Sequence, residues 1–381
     1  MDERVKDVQV WLNQTYGKVS GFKKAPENGL TGWPTIYSLR EGLQHELGIT
    51  ALAEGFGDST KKALSAKIGD LKRGYHGDMK FLEENLDKRA DPTLLIPGTK
   101  SIICVRMDYL VETPKPRYVP FEPDAAIIAR YARGRDYHKT MRGRLKTLVA
   151  KIREKVGDFE SRPFADSAPV FEKSLAENAG MGWTGKHTLL IHKKSGSFFV
   201  LGELFTSLEL PFDSPAIKHC GSCTACIDIC PTQAIVEPYM LDARKCIAYL
   251  TIEYKGIIPE ELRRGIGNRV FGCDDCQLIC PWNGFAKKTA IEDFNPRHNL
   301  DNITLLDLWQ WDEAAFLACT EGSPIRRTGY QSFMRNIAIG LGNAGYSAQI
   351  VQALQQNRAR HDEIVQVHID WAVAEQLSKI K

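Results

Sequence analysis

Eight cysteines in the middle of this chain have the spacing of iron–sulfur ligands. They form two runs with a single cysteine between them: Cys220, Cys223, Cys226 and Cys230, then Cys246, then Cys273, Cys276 and Cys280. In a C-x2-C-x2-C-x3-C-P run, the fourth thiolate binds a different cluster from the first three. A proline follows the last cysteine of both runs, where the chain must turn away. The spacing therefore predicts two [4Fe–4S] clusters, which transfer electrons one at a time.

Crossed ligation gives each cluster thiolates from both runs. We expect cluster one to take Cys220, Cys223, Cys226 and Cys280, and cluster two to take Cys230, Cys246, Cys273 and Cys276. Two alternatives stay open: disulfides, which are rare in the reducing cytosol, and two zinc sites, because C-x2-C pairs also bind zinc. Zinc does not explain the x3-C-P endings. Cys104 and Cys319 lie in apolar segments, and we expect both to be buried without a function.

Length and composition limit the class of protein. With 381 residues the chain is long enough for two or three domains, and 43% apolar residues can build proper cores. The formal net charge of +3 does not by itself indicate a nucleic-acid partner. No apolar run approaches the length of a membrane span. We therefore expect a cytoplasmic monomer without a membrane partner.

Apolar periodicity divides the chain into four segments. We expect a small helical module at residues 1–66, an α/β domain at 67–213, the cysteine-bearing insert at 214–290 and a helical repeat at 291–381. The last segment contains two apolar stretches, 325–342 and 348–377, which predict paired helices.

Within the predicted α/β domain, the apolar run Ser101–Met107 indicates a buried strand. An amphipathic helix is expected over Ile127–Ile152, with Met141, Leu145, Leu148 and Ile152 on one side. Two further strands, 189–192 and 197–201, should flank a hairpin turn.

Two carboxylates and a glycine-rich stretch in this domain are candidates for a substrate site. Asp136 lies in an Arg-Asp-Tyr-His string, and Asp166 lies in Asp-Ser-Ala-Pro. An Asx turn or helix cap is the ordinary interpretation of Asp166. Gly180, Gly182 and Gly185 would let a backbone approach a large flat ligand, although an ordinary loop is the default.

Taken together, these strings resemble the epoxyqueuosine reductase family, which is similar to the cobalamin-dependent reductive dehalogenases. The resemblance runs from about Leu71 to the C-terminus and includes Arg-Asp-Tyr-His, Asp-Ser-Ala-Pro, Gly-Trp-Thr-Gly-Lys and both cysteine runs, in that order. It implies an α+β fold: an α/β cobalamin-binding reductase domain, a two-cluster ferredoxin-like insert and a C-terminal HEAT-like helical repeat, preceded by the small helical module.

The resemblance also implies a reaction, in which the epoxide of epoxyqueuosine in tRNA is reduced to the alkene of queuosine. Base-off cobalamin and two [4Fe–4S] clusters are the implied cofactors. An external low-potential electron donor of the flavodoxin or ferredoxin type is the implied partner, beside the tRNA. Asp166 looks like the general acid and Asp136 like a second acidic site residue. A carboxylic acid that stays protonated in an enclosed site could supply the proton.

Further site residues follow from the resemblance. The expected cobalamin contacts are Arg89, Asp166, Lys186, Thr188 and Ser197. The expected tRNA contacts are Lys173, Arg326, Arg327 and Arg335, because phosphates require cations. Arg358 and Arg360 of the C-terminal repeat, and Lys287 and Lys288 just beyond the clusters, belong to the same expected basic patch. Each of these side chains could equally be an ordinary solvated residue.

The N-terminal segment departs from the family. Residues 1–66 resemble a peptidoglycan-binding-like module, through the strings at 5–13, 29–35, 42–44 and 56–60. If this module replaces the family's first strand, Leu47–Thr50 could partly substitute for that strand. Two other functions stay open, namely a corrinoid reductase of small molecules and a non-catalytic electron carrier or wall-binding protein.

Overall fold

The computed structural model describes residues 3–18, 23–27, 51–54, 73–112, 124–210 and 212–380. The described strands are β1 (Ala51–Glu54), β2 (Ser101–Asp108), β3 (Ile127–Ile128), β4 (Ser161–Phe164), β5 (Trp183–Thr184), β6 (Leu190–Ile191), β7 (Phe199–Thr206), β8 (Ile235–Glu237), β9 (Met240–Leu241) and β10 (Arg269–Phe271).

Fourteen α-helices lie in the described ranges. The first seven are α1 (Glu3–Tyr16), α2 (Leu86–Ala90), α3 (Pro92–Leu95), α4 (Tyr137–Val156), α5 (Glu172–Asn178), α6 (Ala225–Asp228) and α7 (Ile247–Ile252). The others are α8 (Glu260–Ile266), α9 (Asp275–Leu278), α10 (Leu305–Trp309), α11 (Glu313–Cys319), α12 (Tyr330–Asn343), α13 (Ala348–Asn357) and α14 (Glu363–Ser378). No helix in this described part of the chain is long and apolar enough to span a bilayer.

A four-stranded antiparallel sheet forms the centre of the α/β part, with strand order β1-β2-β7-β4. All eight residues of β2 are buried, which confirms the predicted buried strand. Because side chains alternate along a strand, Ile103 and Val105 pack with helix α4 on one face. Ile102 and Cys104 pack with helix α5 on the other face. The sheet is therefore covered by a helix on each side.

Helix α4 begins later than the sequence predicts. Its buried face contains Met141, Leu145, Leu148 and Ile152, as expected. However, Ile127–Ile128 is strand β3, which pairs in parallel with β10. The helix starts after Asp136 because the Asp136 carboxylate caps it, accepting a hydrogen bond from the backbone N–H of His138.

The N-terminal segment contributes a strand to this sheet. Strand β1 pairs antiparallel with β2, just after the stretch Leu47–Thr50 that was expected to substitute for a missing strand. The interpretation of residues 1–66 as a separate helical module is therefore wrong for Ala51–Glu54. Helix α1 agrees with the predicted helical character of this segment. The ammonium nitrogen of Lys155, on α4, lies 4.0 Å from the ring centre of Trp11 on α1. The strings at 29–35, 42–44 and 56–60 lie outside the described residues.

A second core joins the cysteine-bearing segment to the C-terminal helices. Leu250 of α7 and Phe271 of β10 belong to the same buried cluster as Phe333 of α12 and Ile369 of α14. The predicted domain boundary at 290/291 is thus not a boundary between two cores, because one apolar interior crosses it. The second predicted C-terminal helix is divided into α13 and α14, and Asp362 caps α14.

Arg335 lies inside this second core, which corrects its predicted role as a tRNA contact. The side chain is 1% exposed. Its guanidinium donates hydrogen bonds to the backbone carbonyls of Leu250, Tyr254 and Gly256 at 2.6–2.9 Å. These carbonyls lie in and just after α7, directly downstream of Cys246. A side chain that is already enclosed and saturated by carbonyls cannot reach a phosphate.

We expect Arg335→Ala to lower the free energy of unfolding by roughly 3 kcal/mol, because three buried carbonyls would lose a charged donor. Urea unfolding followed by circular dichroism would measure the loss. The exposed neighbour Arg326 provides a matched control, and Arg326→Ala should change stability by less than about 0.5 kcal/mol. Equal stability of the two variants would contradict the structural role of Arg335.

Candidate functional site

The two cysteine runs converge on one cavity as crossed ligation requires. Cys220, Cys223, Cys226 and Cys280 all line a cavity of about 310 Å³. Three of these thiols come from the first run and Cys280 comes from the second. Trp282 and Phe285, which lie in a 3-10 helix directly after Cys280, form part of the same wall. The four predicted ligands of cluster one are therefore close together around a space of cluster size.

The remaining four cysteines form a second group. Burial is the largest cause of the raised pKa of the Cys276 thiol, and nearby Cys246, Asp274, Cys226 and Cys230 raise it further. Cys230 also contributes to the raised pKa of Cys246, after burial. Cys276 in turn contributes to the raised pKa of Cys273, again after burial. Soft thiolates are the ligands of iron–sulfur clusters. The donors and their grouping fit two clusters.

Two predicted cobalamin contacts instead hold the cluster-one segment in place. The ammonium of Lys186 donates hydrogen bonds to the carbonyls of Gly221 and Cys223 at 2.7 and 3.0 Å. The Ser197 hydroxyl accepts hydrogen bonds from the side-chain amides of Gln277 and Asn283 at 3.2 and 2.9 Å. Both residues are buried, so their polar atoms are used within the protein. The structure thus corrects the interpretation of Lys186 and Ser197 as cobalamin contacts.

We expect Cys280→Ser to remove cluster one while leaving cluster two. Iron per chain after anaerobic reconstitution should fall from about eight to about four. Colorimetric iron analysis and electron paramagnetic resonance of the reduced protein would measure this change. Cys319→Ser is the control and should keep the full iron content. Loss of both clusters together in a folded Cys280→Ser variant would contradict independent ligand sets.

A larger cavity of about 900 Å³ has Leu241 and Ala243, which shortly precede Cys246, in its wall. It is near the upper end of small-molecule sites. Its wall contains five of the predicted site residues: Arg89, Asp166, Lys173, Thr188 and Arg327. The backbone at Asp166 and Thr188 has φ of 56° and 67°, a left-handed conformation that is uncommon for residues other than glycine. Such strained positions cluster at functional sites.

Some of these wall residues are already held by the protein. The guanidinium of Arg89 donates to the carbonyls of Phe81 and Glu84, and the side chain is 6% exposed. Lys173 donates to the carbonyl of Thr188 at 3.0 Å. Arg89 and Lys173 therefore shape the cavity wall through hydrogen bonds to backbone carbonyls.

The glycine-rich stretch does not face a ligand. A Cβ at Gly182 would lie 2.2 Å from the carbonyl oxygen of Ile191, and one at Gly185 would meet the Ile191 side chain. A Cβ at Gly180 would meet the carbonyl of Ser214. These glycines allow close packing between backbone segments. The expectation that they admit a large flat ligand was therefore wrong, and close strand packing explains them.

A chain of three ionisable side chains reaches the cavity wall at Asp166. Nδ1 of His138 lies 2.6 Å from a carboxylate oxygen of Asp136. Nε2 of the same ring lies 3.0 Å from Oδ2 of Asp166, which also accepts a hydrogen bond from the Tyr137 hydroxyl at 3.0 Å. Helix α4 positions this chain because Asp136 is its cap and Tyr137 and His138 form its first turn. Neither His138 nor Tyr137 was among the site residues predicted from the sequence.

The charges in this chain place the proton on the histidine. Burial lowers the pKa of His138, but hydrogen bonds to Asp136 and Asp166 outweigh it and raise the pKa to about 9. Burial alone would raise the pKa of both carboxyls, yet the hydrogen bonds from His138 lower the pKa of Asp136 and of Asp166. The expected protonated carboxylic acid at Asp166 is thus replaced by a carboxylate beside an imidazolium. The Asp136-Tyr137-His138 string, with an acid two residues before a histidine, was the sequence feature that could have indicated this pair.

Two further acids lie behind Asp166. A carboxylate oxygen of Glu172 accepts a hydrogen bond from the backbone N–H of Asp166. Burial, and then the charge of Asp166, raise the pKa of Glu172 to about 7. Glu203 on β7 is fully buried, and burial followed by the charge of Glu172 raises its pKa well above the usual value. Glu172 thereby fixes the left-handed turn that presents Asp166 to the cavity.

We expect His138 to titrate at about pH 9, and its pKa to fall toward about 6.5 in Asp136→Asn. Nuclear magnetic resonance of protein labelled with 15N-histidine would follow the ring nitrogens. The raised pKa stabilises the fold fully below about pH 6.5, and this stabilisation is lost as the pH rises through about 9. His361→Gln would assign the control resonance. An unshifted His138 resonance in Asp136→Asn would contradict the ion pair.

The fold and these sites define an iron–sulfur protein with an adjoining α/β cavity, and comparisons identify its family. Residues 219–283 match a family model described as a 4Fe-4S double cluster binding domain. Residues 89–167 match a model described as Epoxyqueuosine reductase QueG, DUF1730. An epoxyqueuosine reductase of Pseudomonas aeruginosa is 54% identical over 305 residues, which cover 80% of this chain and 84% of the relative.

Solved structures agree with the relatives. An epoxyqueuosine reductase from Streptococcus thermophilus superposes with a TM-score of 0.79 at 26% identity, covering 90% of each chain. A crystal structure of an epoxyqueuosine reductase with an epoxyqueuosine-modified tRNA-Tyr stem loop has a TM-score of 0.74 at 25% identity, and covers 90% of this chain and 100% of that one. The chain belongs to the epoxyqueuosine reductase family. Its two-cluster iron–sulfur domain and its mixed helix and sheet fold agree with the expected class.

Proposed function

We propose that this protein is an enzyme that reduces epoxyqueuosine to queuosine at the wobble position of tRNA. The observation that carries the proposal is the His138 imidazolium between two carboxylates, one of which, Asp166, lies in the wall of a 900 Å³ cavity. The same chain carries a two-cluster iron–sulfur domain. Family membership supports it, since the Pseudomonas aeruginosa relative is named for this activity. A cytoplasmic location is proposed with it, because tRNA is the substrate.

The reaction requires electrons and protons, which the cysteine groups and the acid site are suited to supply. Conversion of an epoxide to an alkene consumes two electrons and two protons and releases one water molecule. When bound, the two clusters would supply the electrons one at a time. Solvent supplies one of the two protons, and His138 holds the other behind Asp166, which lies in the cavity wall. When oxygen leaves carbon, the developing alkoxide needs that proton. His138 stores the proton, Asp166 passes it on, and Asp136 keeps the ring oriented and charged.

We also propose that the 900 Å³ cavity holds base-off cobalamin. Its size and the wall residues Arg89, Thr188 and Asp166 support a large ligand there. When bound, cobalamin would supply a low-valent cobalt centre that reduces the strained ring. The protein shapes the cavity, excludes water and presents Asp166 to the ring oxygen. Lys186 and Ser197 act indirectly, because they hold the adjoining cluster-one segment.

For tRNA binding we retain Lys173, Arg326 and Arg327 and exclude Arg335. Arg327 is a wall residue of the cavity, and its guanidinium lies 3.8 Å from the Glu253 carboxylate. Its positive charge also contributes to the lowered pKa of Asp166, after His138 and Tyr137. Arg327 therefore combines attraction of tRNA phosphate with control of the acid. We propose that helices α12 to α14 form the HEAT-like support for this contact.

We expect His138→Gln and Asp166→Asn each to reduce single-turnover conversion of epoxyqueuosine tRNA by about 10² to 10⁴, because each interrupts proton delivery. Nucleoside analysis by mass spectrometry would quantify queuosine formed by the reconstituted enzyme under anaerobic conditions. His361→Gln provides a matched control and should retain activity.

Full activity in both variants would show that the Asp166–His138–Asp136 triad does not deliver the proton. If the wild-type protein bound cobalamin yet left epoxyqueuosine tRNA unchanged, the corrinoid reductase of small molecules would become the better interpretation. If it carried electrons without any conversion or cobalamin, the electron carrier would remain.

A further inference from the structure

The two clusters differ in their access to solvent. Cys223 is the one exposed cysteine in the described part of the chain, and it is a cluster-one ligand in the crossed assignment. The four ligands proposed for cluster two are only partly exposed. An electron from outside therefore meets cluster one first.

Positive charge is concentrated around this exposed cluster. The segments 186–194, 212–228 and 280–288 border the cluster-one cavity, and together they contain six lysines and two aspartates. The chain as a whole is nearly balanced, with 50 basic and 47 acidic residues. Such a local excess attracts an acidic partner at long range.

Contacts bring three of these lysines to one side of the molecule. The backbone N–H of Ser197 donates to the Asn283 side chain at 2.5 Å, so the hairpin carrying Lys193 and Lys194 packs on the segment after Cys280. Lys194 and Lys287 both lower the pKa of His192, after burial and Arg106. The three lysines are exposed.

Exposed apolar side chains accompany these lysines. Phe285, in the wall of the cluster-one cavity, is 58% exposed, and Ile217, three residues before Cys220, is 76% exposed. We call Ile217, Cys223, Phe285, Lys193, Lys194 and Lys287 the cluster-one face. An apolar patch with a charged rim is typical of protein–protein interfaces, including small transient redox contacts.

We propose that the cluster-one face docks an acidic, one-electron carrier protein that reduces cluster one. This inference rests on the proposed function, because that reaction consumes electrons. It adds the site at which the electrons enter the protein and the charge of the donor surface. A protein partner fits this face better than RNA does. Binding of RNA phosphates requires neither an exposed cluster ligand nor the exposed apolar side chains beside it. Complementary charge raises the association rate, and the apolar patch then gives contact.

The electron balance is simple. A carrier with a reduced flavin loses one electron and becomes the semiquinone, while cluster one passes from the 2+ to the 1+ state. Two such transfers provide the two electrons that one epoxide consumes. No bond is formed or broken at this face.

The test is the double variant Lys193→Glu/Lys287→Glu in the cluster-loaded full chain. A purified flavodoxin-type carrier of acidic surface is the probe, and stopped-flow absorbance would follow cluster reduction at low salt. We expect its bimolecular rate constant to fall at least tenfold and its dissociation constant, from calorimetry, to rise similarly. Reduction by dithionite should stay within about twofold of wild type, because the clusters themselves are unaltered.

The double variant Lys6→Glu/Lys146→Glu is the matched control, since both residues are exposed and the change in net charge is the same. It should leave carrier binding near the wild-type value. Equal effects of the two double variants, or unchanged carrier binding in the first, would overturn the proposal. Loss of tRNA affinity in place of carrier affinity would assign this face to nucleic acid. Carrier binding needs no conversion of tRNA, so its outcome is separate from that of the proposed function.

Discussion

The interlocking of the two cysteine runs is the constraint on which the arrangement of this protein depends. Cys280 reaches the cavity formed by Cys220, Cys223 and Cys226, so the second run cannot fold around its own cluster alone. The same requirement fixes the neighbouring segments. Lys186 binds the carbonyls of the first run, and Ser197 binds Gln277 and Asn283 of the second. The central sheet and the clusters are thereby held in one frame.

The second core extends this frame to the C-terminal helices. Arg335 and Asn336 of α12 donate hydrogen bonds to carbonyls of α7 and β10, the elements that flank Cys246 and Cys273. A buried guanidinium is costly unless its donors are satisfied. Here three carbonyls satisfy it, so α12 is fixed against the shell of cluster two. One apolar interior crosses the predicted boundary at 290/291. Movement of the C-terminal helices would therefore also move the segments that carry the cluster ligands.

The acid site shows a different balance. Separate burial of His138, Asp136 and Asp166 would disfavour each charge, but a cation between two carboxylates offsets that penalty. The left-handed backbone at Asp166 has an unfavourable conformation, and Glu172 holds it through the backbone N–H. Proton storage and presentation of the acid are therefore separate tasks with separate residues.

Patterns with a local cause could be predicted from the sequence. The cysteine spacing predicted the two-cluster domain and the four cysteines that line one cavity. The apolar runs predicted β2 and the buried face of α4, because these depend on spacing alone. Roles that depend on tertiary contacts could not be predicted. Arg335 and Lys186 are of residue types that usually lie on the surface. Only the tertiary structure shows that both side chains donate hydrogen bonds to backbone carbonyls. The strand at Ala51–Glu54 forms because β2 offers an edge, which its own four residues do not reveal.

Mössbauer spectroscopy of the anaerobically reconstituted wild-type chain tests the central claim most directly, because it counts clusters and identifies their type. The account predicts two [4Fe–4S]²⁺ cubanes and about eight irons per polypeptide. A single cubane with about four irons, or a protein that retains zinc in place of iron, would contradict it.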